Sequence, residues 1–224
     1  MKDNNIEKKE ESTLSISDMY KRSVDIGTET MSPEDMNTPV LKIIQPNTQN
    51  IDNKKDGFYY RGDQRVQLEY VPVNLVSVAS NEVENYNKDG FEKIKIYYGF
   101  YAGTAEPFKM FVRGWGLSAH RDFQTEVNAI KKGYGLPMLA LTIILKTEKV
   151  NGTMQDSGKP YTTYKPVFSI EKDENGVPIA EEDPDRMRFL IEAARRFAIL
   201  QDQTENDKKQ SDAGIKINPE EIPF

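Results

Sequence analysis

The chain has 224 residues, a formal net charge of −6, one histidine (His120) and no cysteine. That composition excludes disulfides, thiolate metal sites and a cysteine nucleophile, and it leaves a Ser–His–Asp triad or a multi-histidine metal centre almost nothing to build on. The longest apolar run, Leu136 to Leu145, falls short of the ~20 residues a membrane-crossing helix needs, and the polar, acidic start is unlike a secretory leader. A cytoplasmic protein without metal or cofactor is expected.

The charge is unevenly spread. Residues 1–37 carry −4, residues 38–172 carry +4 and residues 173–224 carry −6. A mildly basic middle between acidic ends suits a polyanion partner, although local clustering matters more than the total.

In chain order, residues 1–37 read as a largely disordered N-terminal extension, with a short helix over Ser17–Ile26 at most. Pro39–Gln45 is a strand candidate, followed by a polar loop. Val66–Val78 alternates but slips register near Pro72, which predicts a bulged or bent strand. Ile94–Tyr101 and Phe108–Arg113 alternate cleanly and are close enough to form a hairpin. The period then changes. Phe123, Val127, Ile130 and Tyr134 mark one helical face, with Ser118 as N-cap and Gly133 and Gly135 as the stop. Leu136–Lys149 and Tyr161–Lys172 read as two further strands. Pro184–Gln201 carries an unbroken apolar stripe from Met187 to Ala198, with Asp183 as its N-cap.

Three strands, a helix and two strands is the element order of the OB-fold, a five-stranded Greek-key barrel. The expected fold is therefore mainly β with added helices: an OB-like domain over 38–201, including an amphipathic helix at 184–201. Residues 202–224 are expected to form a flexible acidic tail.

On the two central strands, the faces opposite the expected core would present Lys95, Tyr97, Tyr101, Lys109, Phe111 and Arg113 together, with Trp115 just beyond. Cations interleaved with rings suit single-stranded nucleic acid: cations follow the phosphates and rings stack on unpaired bases at ~1–3 kcal/mol each. Tyr59, Tyr60, Arg61 and Arg65 are further candidates, as are Tyr161, Tyr164 and Lys165.

The chain ends Asn218-Pro219-Glu220-Glu221-Ile222-Pro223-Phe224. This resembles the acidic tip of bacterial single-stranded DNA-binding proteins, in which acidic residues precede a terminal Ile-Pro-Phe. TPVLKIIQP followed by GFYYRGD is similar to phage-encoded replication proteins. The tail departs from the bacterial pattern in carrying Lys216, in being less acidic and in lacking a Gly/Gln/Pro-rich linker. The resemblance implies a protein that coats ssDNA in replication or recombination and docks helicases, nucleases, primase or polymerase through Glu220, Glu221, Ile222, Pro223 and Phe224. A phage or bacterial origin would place it in the bacterial cytoplasm. An apolar pocket beside a cation would hold the Phe224 ring and its terminal carboxylate together.

No phosphate-loop or dinucleotide motif is present, and the carboxylates fall mainly in loops and tails, so a non-enzymatic role is expected. The alternatives are a strand-annealing or recombination-mediator protein, with the 184–201 helix as an oligomer contact, a metal-dependent nuclease, or an adaptor that uses the tip alone.

Overall fold

The computed structural model describes residues 38–84, 90–153 and 158–197. The expected N-terminal extension with its Ser17–Ile26 helix, the last turn of the 184–201 helix, the acidic tail and the Glu220–Phe224 tip lie outside the described residues.

Two sheets organise the chain. The smaller joins β1 (Leu41–Ile43), β2 (Tyr59–Arg61) and β3 (Val66–Leu68) in antiparallel order. The larger contains β4 (Val71–Glu84), β5 (Phe91–Tyr101), β6 (Pro107–Val112), β7 (Ile143–Thr153) and β8 (Pro160–Ile170). Its spatial order is β6-β5-β4-β7-β8, all antiparallel. The expected Val66–Val78 strand is thus two strands in different sheets, parted at Glu69-Tyr70. The expected slip at Pro72 falls instead at Val76, the extra residue between the Leu75–Gly99 and Ser77–Tyr98 pairs. A bulge bends its strand and increases its twist, so β4 serves both halves of a curled half-barrel. Gly99 makes the bend close: a side chain there would meet the Asn74 carbonyl oxygen at 2.5 Å.

β1 lies across the gap between the edge strands. At one end Val40 forms a parallel bridge with Lys109 of β6, and the Lys109 N–H donates to the Pro39 carbonyl at 2.9 Å. At the other end the Gln45 side chain bonds the backbone of Tyr164 in β8.

The helix α1 (Gly116–Tyr134) packs chiefly on β8 and buries Phe123, Val127 and Ile130. It begins two residues before the expected Ser118 cap; Ser118 instead donates its hydroxyl to the Trp115 carbonyl. Tyr134, expected on the buried stripe, is exposed in the last turn before Gly135, whose φ of 70° ends the helix. The apolar run after it enters β7 only at Ile143, because Met138–Ala140 forms a 3-10 turn.

The curl encloses one core, in which Tyr97, Phe123 and Phe168 pack as a ring cluster with centroids 4.8–6.2 Å apart. A second core lies on the outer face of β4 and β5. There residues 184–197, helix α2, set Met187, Leu190, Ile191, Ala194 and Phe197 against Ile94, Ile96, Tyr98 and Phe100. The Asp183 carboxylate caps α2 by accepting from the Asp185 N–H at 3.0 Å, as its sequence predicts. Both faces of β5 are therefore buried.

Candidate nucleic-acid interface

The register between β5 and β6 overturns the expectation of one shared basic–aromatic face. Tyr97 pairs with Met110, Tyr98 with Lys109, Ile96 with Phe111 and Lys95 with Val112. Directly paired residues project to the same side. Lys95, Tyr97 and Tyr101 thus lie on the inner side, whereas Lys109, Phe111 and Arg113 lie on the outer side.

The inner group is built into the fold. Tyr97 is 0% exposed, and its hydroxyl lies 2.6 Å from His120 Nδ1. Burial pushes its pKa well up. Lys95 is half-buried and bonds the Ser80 hydroxyl. The His120 pKa is lowered, first by burial and then by the nearby Lys95 ammonium. Tyr101 is buried under the Arg61 guanidinium, 3.9 Å from its ring centroid. Burial raises its phenol to about 12 against the opposing pull of Arg61.

Arg61, expected on the binding surface, has a side chain only 10% exposed and bonds Asp63 and Glu106 at 3.1 Å each. It clamps β2 to the β5–β6 turn. Tyr59 is fully buried, donating its hydroxyl to the Lys146 carbonyl at 2.9 Å. Tyr161, Tyr164 and Lys165 are half-buried on β8, with Lys165 paired to Glu148.

Lys109, Phe111 and Arg113 share the outer side, and Trp115 follows at the N-terminus of α1. Phe111 is 40% exposed, Trp115 60%, and the Arg113 side chain 69%, with a long 3.5 Å contact to Glu92. The Val40–Lys109 bridge extends this face onto the small sheet. Leu41 points into the core, so its neighbours Val40 and Lys42 point outward, and Lys42 lies opposite Tyr60. A cavity of about 360 Å³ opens here, lined by Val40, Lys42, Tyr60 and Asp63 together with Thr38 and Pro39. The outer face thus carries Lys42, Tyr60, Lys109, Phe111 and Arg113, with Trp115 at the start of α1. Lys42 was not among the sequence candidates; its exposed position beside the buried Leu41 is the signal that marks it.

Among the described residues, no three His, Cys, Asp or Glu side chains are grouped as a metal ion would require, and no helix is long and apolar enough to cross a membrane. Comparison with protein-family models, curated proteins and solved structures finds no match.

Proposed function

We propose that this protein binds single-stranded DNA on the outer face of β6, β1 and β2, coats the strand in replication or recombination, and recruits partner proteins through its Glu220–Phe224 tip. The observation that carries the reading is the juxtaposition of accessible rings (Tyr60, Phe111) with Lys42, Lys109 and Arg113 on one face, with the exposed Trp115 two residues beyond Arg113. Rings of this kind need unpaired bases to stack on, and the cations follow the phosphates without reading sequence.

The strand order supports the same reading. With β4 as first strand, β5 and β6 next, α1, and then β7 and β8, the order is compatible with an OB barrel, whose ligand face lies on its second and third strands. Here α2 covers the second-strand half of that face with five apolar side chains that are at most 7% exposed. Removing it would return all of them to water, so α2 acts as a fixed cover. The third-strand half stays open, and β1 and β2 widen it.

Trp115 is the only tryptophan and lies two residues from Arg113, so its emission reports the neighbourhood of this face. Titration with oligo(dT) at low and high salt should quench it, with affinity falling steeply as salt rises. Unchanged emission together with no salt-dependent binding overturns the reading.

A further inference from the structure

The cavity over the outer face of β1 and β2 combines three chemically different groups. Tyr60 offers a half-buried ring whose edge lies over Gly62, where a Cβ would sit 3.8 Å from it. Lys42, its cross-strand partner, is exposed, and no carboxylate pairs with it among the described residues. Asp63 is the third group. Its Oδ2 accepts from Arg61 at 3.1 Å, and its other carboxylate oxygen takes no part in that pair. Arg61 also serves Glu106, so one positive charge faces two negative ones and the cluster remains anionic.

An anionic acceptor is out of place on a surface that holds phosphates, because it repels them. It fits a cavity that receives a base, because the exocyclic amino groups of cytosine, adenine and guanine are donors and a carboxylate accepts from them. Thymine and uracil present a carbonyl oxygen where cytosine presents its amino group, and two acceptors face to face repel. The volume, about 360 Å³, falls within the range of small-molecule sites.

We propose that this cavity takes one unpaired base of the bound strand: Tyr60 stacks on it, Lys42 holds the adjoining phosphate, and Asp63 accepts from its exocyclic amino group. The site thereby favours amino-bearing bases over thymine or uracil. This assignment rests on the ssDNA-binding reading above and adds base preference to it.

The test compares oligo(dC) with oligo(dT) of equal length by fluorescence anisotropy on the full chain. Thymine differs from cytosine in the 4-position group facing Asp63 and in its 5-methyl group, so oligo(dU), which lacks the methyl, is the size-matched control and should bind like oligo(dT). A preference for oligo(dC) of roughly ten- to a hundredfold is expected, the worth of one hydrogen bond to a charged group. Asp63→Asn should abolish or invert the preference, because an amide can turn its N–H to a carbonyl; the fold should persist, since Arg61 keeps Glu106. Tyr60→Ala should weaken both oligomers while leaving Trp115 quenching in place at saturation. Equal affinity of the unmodified chain for both, or an unchanged preference in Asp63→Asn, overturns the cavity assignment and leaves ssDNA binding standing. No binding of either oligomer removes both.

Discussion

The side-chain amide of Gln45 takes the place of a strand residue beside Tyr164. Its Nε2 donates to the Tyr164 carbonyl at 2.8 Å, and its Oε1 accepts from the Tyr164 N–H at 2.8 Å. The Thr163 hydroxyl donates to the same oxygen at 2.9 Å. One amide thus satisfies the backbone N–H and C=O of Tyr164 at the middle of the edge strand β8, a point otherwise open to pairing with another chain. Gln45→Ala should cost ~1–3 kcal/mol, the range for leaving such groups unpaired, and urea denaturation measures it. Gln45→Glu should be no better, because a carboxylate cannot donate to the carbonyl. Full stability in both variants would show that β8 needs no such closure.

The outer and inner rings should separate by their effects. Phe111→Ala and Trp115→Ala are expected to weaken oligonucleotide binding by ~1–3 kcal/mol each, with little change in melting temperature. Tyr97→Ala removes a fully buried ring and should cost ~3–5 kcal/mol of stability, leaving the affinity of whatever stays folded unchanged. The reverse pattern, read by anisotropy and thermal melts together, would return the binding face to the inner side.

Phosphate contacts have their own signature. Lys42→Ala and Arg113→Ala should each reduce the slope of log affinity against log salt by about 0.7, the value for one phosphate contact on a single strand. A slope identical to that of the unmodified chain would mean these side chains touch no phosphate.

Phe197 places its ring 5.0 Å from Tyr98, at the end of the helix that covers β5. Phe197→Ala should destabilise the domain by ~3–5 kcal/mol without strengthening DNA binding, if α2 is a fixed cover. A tighter complex at unchanged stability would make α2 a removable lid.

His120 gives the fold a dependence on pH. Burial and Lys95 oppose its protonation in the folded state, lowering its pKa below 6.5. As pH falls through 6.5, the unfolded chain takes up the proton first, so stability is full above that value and declines toward the folded pKa. Melts at pH 7.5 and pH 5 compare the unmodified chain with His120→Asn. The histidine variant should lose part of the difference between them. An equal acid sensitivity in both chains would assign it to other groups.

Much of the fold is legible in the residues alone. The alternation of β5 and β6, the 3.6-residue stripes of the two helices, the Asp183-Pro184 start and the sequence of hairpin, helix and two strands from β5 to β8 follow from local pattern, because side-chain period and capping chemistry act within a few residues; the small sheet and the division of Val66–Val78 between two sheets do not. Pattern within a strand says which residues share a face, but not which face of the next strand they join. A shift of one residue in register exchanges the two faces completely, and the Tyr97–Met110 pairing did so here, sending Tyr97 and Tyr101 inward and leaving Phe111 outside. Likewise, the apolar stripe of α2 announces that it will be buried without naming the surface that buries it. That it covers β5, and that β1 bridges the two edge strands to extend the open face, depends on contacts between residues far apart in the chain, and only the tertiary structure decides them.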